Sequence, residues 1–410
     1  MSRTNLFLKC IDCGREYNPE ALHYLCPTCE DENREGQPQK GVLKAEYRFS
    51  QPPSFDLLKE SGFIDLLPIK SRNSLPNLRV GNTPFYNISN INNLQLPFSL
   101  YVKDDSQNPT FSYKDRASAV VSAYAKENNI STIVAASTGN AGSSLAGICA
   151  AQGQRSIIMV PASAPIAKLT QIIMYGATVV PVKGTYDDAF DLSLLATKEF
   201  GWYNRNTAYN PYTIEGKKTA AFELFDQLGR TIPDRIFVPV GDGVIISGIF
   251  KGFEDLLGLG IIKKMPIIVA VQSVGSQNLV SNLNTSIFII SPSKTIADSI
   301  SVDVPRNFNM AKQFINRYDG ESVVVSDSEI IEASSMLARS TGIFTEPAAA
   351  AAFAGMLKYQ KDNKIPNESK NVVLLTGSGL KDLKGVERIV NVPDAIEPSI
   401  GELKRIAQKI

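Results

Sequence analysis

Residues 131–153 read STIVAASTGNAGSSLAGICAAQG and divide into two halves. The first, STIVAAS, is a run of β-branched and small apolar residues with the length of a buried strand. The second, GNAGSSLAGICAAQG, reads as a helix. Between them Ser137-Thr138-Gly139-Asn140-Ala141-Gly142 forms a Gly-containing turn at the carboxyl end of the strand. The same alternation follows at once in RSIIMVP then APIAKLTQIIMYG, and in ATVVPV then YDDAFDLSLLATKEFG. Upstream, FSLYVKDD is strand-like and KDRASAVVSAYAKENN has helical spacing. Downstream, DRIFVPV, PIIVAVQ, SVVVS and NVVLLTG are further strands separated by helices. Repeated βα units with Val/Ile-rich strands predict an α/β fold built from two open, mostly parallel sheets covered by helices.

A chain of 410 residues exceeds what one core holds, so two packed domains and an appendage are expected. The boundaries predicted are a small ribbon over 1–45, an arm and the start of a large domain over 46–110, a small α/β domain over 111–204 and a large one over 205–410. Lys+Arg number 42 against 41 Asp+Glu, a formal charge of +1, which gives no reason to expect nucleic acid or an acidic membrane as partner. No apolar run reaches the ~18 residues of a spanning helix. MSRTNLFLKC reads poorly as a signal peptide, so the cytoplasm is the expected compartment.

Cys10, Cys13, Cys26 and Cys29 form C-x2-C-x12-C-x2-C. Two such tight turns supply four soft ligands to one point, a closed tetrahedral set suited to structural Zn²⁺. The ribbon's Lys9 and Arg15 are offset by Asp12, Glu16, Glu20 and Glu30, which disfavours nucleic-acid binding. Cys149 reads as a buried small hydrophobe. The single histidine, His23, lies inside the ribbon and reads as a packing residue.

Three Gly turns end predicted strands: Ser137–Gly142, Gly241-Asp242-Gly243, and Thr376-Gly377-Ser378-Gly379. In open α/β sheets that edge faces the ligand crevice. The first two open helices, whose free N–H groups and positive dipole ends suit a carboxylate or phosphate. With no histidine in the crevice, proton transfer falls to lysine, tyrosine or carboxylates. A lysine serves there if its ammonium is destabilised or if it is held as an imine and released next to the substrate, and pyridoxal phosphate provides the second route. It needs a lysine to carry it, a cradle for its phosphate, a partner for its ring nitrogen and a second cradle for the substrate carboxylate. Lys114, in NPTFSYKDRAS (108–118), Gly241–Gly243, Thr376 and Ser137–Gly142 match those four needs.

SYKDRAS, ASTGNAG, NPYTIEGKKTAAFEL, VPVGDGVIISGIFKGF, GIFTEPAAAAAFAG and LLTGSGLKD, in this order, resemble the threonine synthase branch of the tryptophan-synthase-β-like (fold type II) pyridoxal-phosphate enzymes. GNTPFYN at 81–87 and the cysteine ribbon are also similar to members of it. The resemblance covers about residues 80–390. It implies that Lys114 carries the cofactor and shuttles protons, and that Asn140 bonds the ring hydroxyl. It implies that amides of Gly241, Asp242, Gly243, Val244 and Ile245 bind the phosphate, and that Thr376 faces the ring nitrogen. Ser137, Thr138, Asn140 and Ala141 would hold the carboxylate of a small amino-acid substrate. Arg116, Asn210 and Lys183 are candidates for the surroundings of a leaving phosphate, with an ion pair to Asp115 or another nearby acid as Arg116's other reading. Glu346 is expected beside the cofactor without a proton role. The implied reaction turns O-phosphohomoserine into threonine and phosphate; the alternatives are a related β-elimination or β-replacement enzyme, a serine or threonine dehydratase, or a silent ligand-binding protein. A homodimer is a family-level expectation. Three motifs depart from the family's pattern. Asp242 stands in the phosphate loop and should point away from a dianion, Thr213 and Lys217 replace an arginine and a glutamine of NPYRIEGQ, and Ser378 replaces a histidine.

Overall fold

Strand composition decides how the sheets assemble. The computed structural model describes residues 4–21 and 23–408. The amino-terminal sheet is antiparallel, with β1 (Thr4–Cys10) between β2 (Glu16–Tyr17) and β3 (Leu43–Phe49). Its buried side holds Leu8, Leu43, Ala45 and three of the cysteines, and shares one apolar cluster with Val120, Val121 and Tyr203. Tyr24 stacks on Tyr209 at 4.5 Å, so the ribbon is packed onto the α/β body.

Next along the chain come β4 (Phe85–Ile91) and β5 (Leu94–Asp104), then β6 (Thr132–Ala136), β7 (Arg155–Pro161), β8 (Thr178–Val182) and β9 (Tyr203–Asn204). The last four form an all-parallel sheet in the order β8-β7-β6-β9. Its centre, β6, is buried along its whole length, as a strand covered on both faces must be. The remaining strands are β10 (Arg235–Pro239), β11 (Ile267–Ser273), β12 (Glu321–Val325) and β13 (Lys370–Leu375). They join the earlier pair in a six-stranded sheet ordered β12-β11-β10-β13-β5-β4, parallel except at the β4 edge.

The helices that matter for the site are α1 (Lys114–Glu127), α2 (Asn140–Gln152), α3 (Ile166–Met174), α4 (Tyr186–Phe200), α5 (Tyr212–Gln227), α6 (Val244–Gly258) and α7 (Pro347–Lys361). Ala348–Ala352 on α7 are all buried, so the AAAAAFAG run lies flat on the six-stranded sheet as its small side chains suggested. Tyr186-Asp187-Asp188 begins α4, where Asp188 completes a capping box with Thr185. The α1–α5 crossing is closer still. A Cβ on Gly216 would stand 2.1 Å from the Arg116 carbonyl oxygen, so only glycine lets these two helix backbones touch.

Candidate active site

Lys114 is the first residue of α1, and the segment before it is fixed to the carboxyl end of β13. Tyr113 N donates to Thr376 O at 2.8 Å, Ser378 N donates to Phe111 O at 3.1 Å, and Ser112 bridges to Gly377. The loop reaches this position through Phe111, whose φ is 68°. Thr376, at the end of a strand with hydrophobic neighbours on both sides, is thereby carried next to Lys114. The lysine side chain is half-buried. Burial lowers its ammonium below the usual lysine value. The Arg205 charge works in the same direction, whereas Glu346 and Asp242 oppose it.

Two helix N-termini point toward the same region. At α2 the first helical bond visible is Ser143 N to Gly139 O, 3.1 Å, which leaves the amides of Asn140, Ala141 and Gly142 without a helical carbonyl. Ser137 and Thr138 are half-buried at the lip of this turn, and Ser137 Oγ accepts from Gly139 N at 3.3 Å. At α6 the cap is Gly243 with φ 83°, and Ser247 N bonds Gly243 O at 3.2 Å, so the amides of Val244, Ile245 and Ile246 face outward. Gly241 lies against Ile300, whose Cα would be 2.9 Å from a Cβ there, so the turn has no room for a side chain. Asp242 Oδ1 accepts from Arg306 N at 3.3 Å and its carbonyl accepts from Asn307 N at 3.0 Å. Its side chain is thus turned to the Arg306 loop, although both Lys114 and Lys217 still feel its charge.

Asn140 and Glu346 meet across the cleft, the asparagine amide donating to both carboxylate oxygens. Glu346 is buried, and burial raises its carboxyl against the opposing pull of Asn140 and Lys114. The same carboxylate covers Gly377, where a Cβ would collide with it at 2.5 Å. The crevice therefore presents a lysine, two amide cradles, a buried hydroxyl at Thr376 and a buried carboxylate on one short arc. A ring-bearing phosphate fits this donor set: the Gly241–Ile245 cradle suits the phosphate, and Lys114 is positioned for covalent attachment.

A family model described as "Pyridoxal-phosphate dependent enzyme" matches residues 77–377. Threonine synthase of Methanocaldococcus jannaschii is 35% identical over 98% of this chain and 99% of its own length. Threonine synthase of Methanosarcina acetivorans is 33% identical over 97% of each. The chain belongs to the threonine synthase branch of the pyridoxal-phosphate dependent enzymes. Among solved structures, a threonine deaminase isoform from Solanum lycopersicum superposes with a TM-score of 0.66 at 21% identity, over 87% of this chain and 89% of that one. Serine racemase from Dictyostelium discoideum gives a TM-score of 0.63 at 24% identity, over 80% and 98%. These two likenesses establish the fold.

Within this threonine synthase framework, several residues stand elsewhere than expected. Arg116 does not face the crevice. Its guanidinium is buried and bonds Asp105 at 2.9 Å and Glu223 at 2.6 and 2.8 Å, with Thr83 and Thr219 completing its donors. The ion-pair reading is the one observed, but the acids are Asp105 and Glu223; Asp115 instead accepts from the Thr110 amide and hydroxyl. Asn210 is likewise committed: its amide donates to Asn204 O at 2.7 Å and its oxygen accepts from Tyr212 N at 2.9 Å. It shapes the turn into α5. Thr213 is buried and donates to Asn210 O at 2.8 Å. Lys183 is exposed in the loop after β8. Ser378 Oγ caps the turn that follows it, accepting from Leu380 N at 3.3 Å.

Three crevice residues were not anticipated. Arg205, buried, reaches Lys114 O at 3.4 Å and Ser118 Oγ at 3.2 Å. Lys381 donates to Ser143 Oγ at 2.8 Å and to Gln171, tying the Thr376 turn to α2 and α3; burial brings its ammonium down to about 8. Lys217 stands with its ammonium buried behind Lys114. The quoted stretch EGKKT held a signal only for the last.

In the ribbon, the Sγ atoms of Cys10, Cys13, Cys26 and Cys29 all lie within 4.8 Å of one another. Cys10–Cys29 are 3.8 Å apart and Cys13–Cys26 3.7 Å. Tetrahedral Zn–S bonds of about 2.3 Å give sulfur–sulfur edges of about 3.8 Å, so the cluster has the size of a four-thiolate metal site. His23 packs beside Tyr17, 4.9 Å between rings, and Cys149 is buried.

Proposed function

We propose that this chain is a threonine synthase, converting O-phosphohomoserine and water to threonine and inorganic phosphate. The observation that carries the reading is the arrangement of Lys114 between two helix N-termini, one on each sheet, with a neutral hydroxyl at Thr376 beside it. Threonine synthases of similar length and 33–35% identity support it.

When bound, pyridoxal phosphate supplies an aldehyde for amine attachment and a ring that delocalises the charge left by a departing proton. The residues of this chain supply the rest. Lys114 Nζ holds and returns protons, a task helped by the burial that lowers its ammonium below the usual lysine value. Amides of the Gly241–Ile245 cradle hold the cofactor phosphate. Ser137, Thr138, Asn140 and Ala141 hold the substrate carboxylate at the α2 N-terminus. Thr376 offers the ring nitrogen a hydroxyl instead of a carboxylate, which leaves that nitrogen uncharged and favours elimination and replacement over transamination. Glu346 fixes the Asn140 amide and takes no part in the proton transfers.

Several further readings belong to the same proposal. Four thiolates in the ribbon hold structural Zn²⁺, residues 111–204 and 205–410 act as small and large domains, and the protein works as a homodimer in the cytoplasm. No helix among the described residues is long and apolar enough to cross a membrane. A second reading, a dehydratase acting on serine or threonine, draws on one observation: Arg116, Asn210 and Thr213 are all committed to internal bonds rather than to a leaving phosphate.

The experiment is a panel of amino acids offered to the cofactor-loaded protein. Threonine and phosphate formed one for one from O-phosphohomoserine support the first reading. Keto acid and ammonia from serine or threonine, with O-phosphohomoserine inert, would replace it by the second.

A further inference from the structure

Most buried cations in this protein have an acid. Lys103 pairs with Glu223, Lys218 with Glu215 and Asp255, and Lys251 with Asp255. Lys217 is different. Its side chain is 0% exposed, and its Nζ is the one lysine nitrogen among the described residues that is buried without a hydrogen-bond partner. Arg205, 1% exposed, bonds two hydroxyls and one carbonyl, Ser118 Oγ, Thr207 Oγ1 and Lys114 O, and forms no ion pair among the described residues.

Lys217 packs against α6, and Arg205 lies close enough for its charge to reach the Lys217 ammonium. Lys217 O accepts from Tyr113 Oη at 2.6 Å, immediately before Lys114. On its other side Lys217 lies against α6: a Cβ on Gly248, one turn into that helix, would be 2.7 Å from Lys217 Cβ. The charges that reach its ammonium are Arg205, Lys114 and Asp242, the last within the glycine turn itself. Of the charges that reach Lys217, two are cations and one is an acid, and that acid is also bonded to the Arg306 amide. Burying an ammonium without a bonded counter-charge is unfavourable, so burial and the two cationic neighbours push Lys217 toward the neutral amine, against the pull of Asp242. A dianion at the α6 N-terminus reverses that balance.

We propose that Lys217 is a phosphate-binding residue whose ammonium, together with the first-turn amides of α6 and with Arg205 adding charge behind it, completes the site for a phosphate dianion. The inference rests on the pyridoxal-phosphate reading and deepens it. The phosphate is the cofactor's, since the α6 amides are the ones that hold it; a separate place for the product phosphate is the other outcome of the test.

The test compares wild type with Lys217→Met and Lys217→Gln, each first shown to be folded by circular dichroism and thermal melting. Apoprotein is titrated with pyridoxal phosphate and, separately, with pyridoxal, which lacks the phosphate; binding is read by absorbance. Holoenzyme is titrated with inorganic phosphate as an inhibitor. If the cofactor is the source, both variants bind pyridoxal phosphate about ten-fold or more weakly, the size of one charge-assisted bond, with pyridoxal unaffected. The ³¹P resonance of the bound cofactor also shifts. Unchanged cofactor affinity with a raised inhibition constant for inorganic phosphate would put Lys217 at a different phosphate, away from the α6 amides, and overturn the proposal. Equal weakening for pyridoxal and pyridoxal phosphate, or no change in any arm, overturns the proposal. A wild type that takes up no cofactor sinks the functional reading itself, and this inference with it.

Discussion

The side-chain amide of Asn140 donates to both carboxylate oxygens of Glu346, at 3.1 and 3.0 Å, and so links the first turn of α2 on one sheet to the start of α7 on the other. Nothing in the local sequence of either residue announces the pairing, since they lie 206 positions apart. The contact places a buried carboxylate beside a lysine whose ammonium is itself disfavoured. Burial is the larger influence on Glu346 and raises it above its ordinary value of 4.5.

That relationship fixes the sign of a pH effect. With the folded value above the unfolded one, the folded protein keeps a proton that the unfolded chain releases. Stability from this group falls as pH rises from about 4.5 through the folded value, then stays level. Glu346→Gln keeps an acceptor for Asn140 and removes the charge. The apoprotein variant is expected to melt above wild type at pH 7, with the gap closing as pH falls toward 4.5. Thermal melts across that range measure it. A gap independent of pH would mean that the charge of Glu346 is not what burial penalises.

Arg116 offers a test of structure against chemistry. Its guanidinium joins Asp105 and Glu223 in a buried cluster, and Glu223 also receives Lys103. Removing one partner from such a cluster leaves charge without compensation, at a cost of about 3–5 kcal/mol. Arg116→Met is expected to lose that much unfolding free energy in denaturant titration. A stable Arg116→Met protein with only a raised KM would return this arginine to the substrate site.

The contrast between Arg116 and Lys114, two residues apart, marks how far the sequence could be read. The placement of Lys114 was legible because its surroundings are backbone features: turns rich in glycine at strand ends, each of which declares itself locally. The role of Arg116 depends on Glu223, 107 positions away on α5, and no local pattern carries that information. Arg205 and Lys381 were missed for the same reason. Among strands, the buried ones were visible from their Val/Ile runs. The β4 edge, FYNISNI, intersperses Asn and Ser among its apolar residues and is mostly exposed or half-buried, while β9 has two residues; both exist because a neighbouring strand offers a ladder.

Lys114→Ala removes the only amine placed at the start of α1 between the two cradles. The variant is expected to lose the visible absorbance of the bound cofactor and to take up no label with borohydride. Turnover should fall by about 10²–10⁴-fold, the range of a proton-transfer residue, or more, since attachment is lost too. Mass spectrometry of the reduced wild type should find the modified peptide at Lys114. A label recovered on Lys217 instead would exchange the roles of the two amines.

The ribbon yields a prediction that does not pass through the crevice. Cys10, Cys26 and Cys29 share an apolar cluster with Val120 and Val121 on α1 and with Tyr203 on β9. A metal held by the four thiolates therefore stiffens a surface against which the lysine-bearing helix packs. Purified protein is expected to hold about one zinc per chain by elemental analysis, matching one four-ligand set. Cys26→Ser, or a strong chelator, should release it and lower Tm by about 5 °C or more, because binding energy at such a site is folding energy. The ribbon also covers α5 through Tyr47, which bonds Glu215, so the loss should spread beyond residues 4–49. Hydrogen exchange on the chelated protein would then accelerate in α1 and α5 as well as in the ribbon. Protein that holds no zinc as purified, or that melts at the same temperature with and without chelator, would remove the metal from the account and leave the cysteines as packing residues.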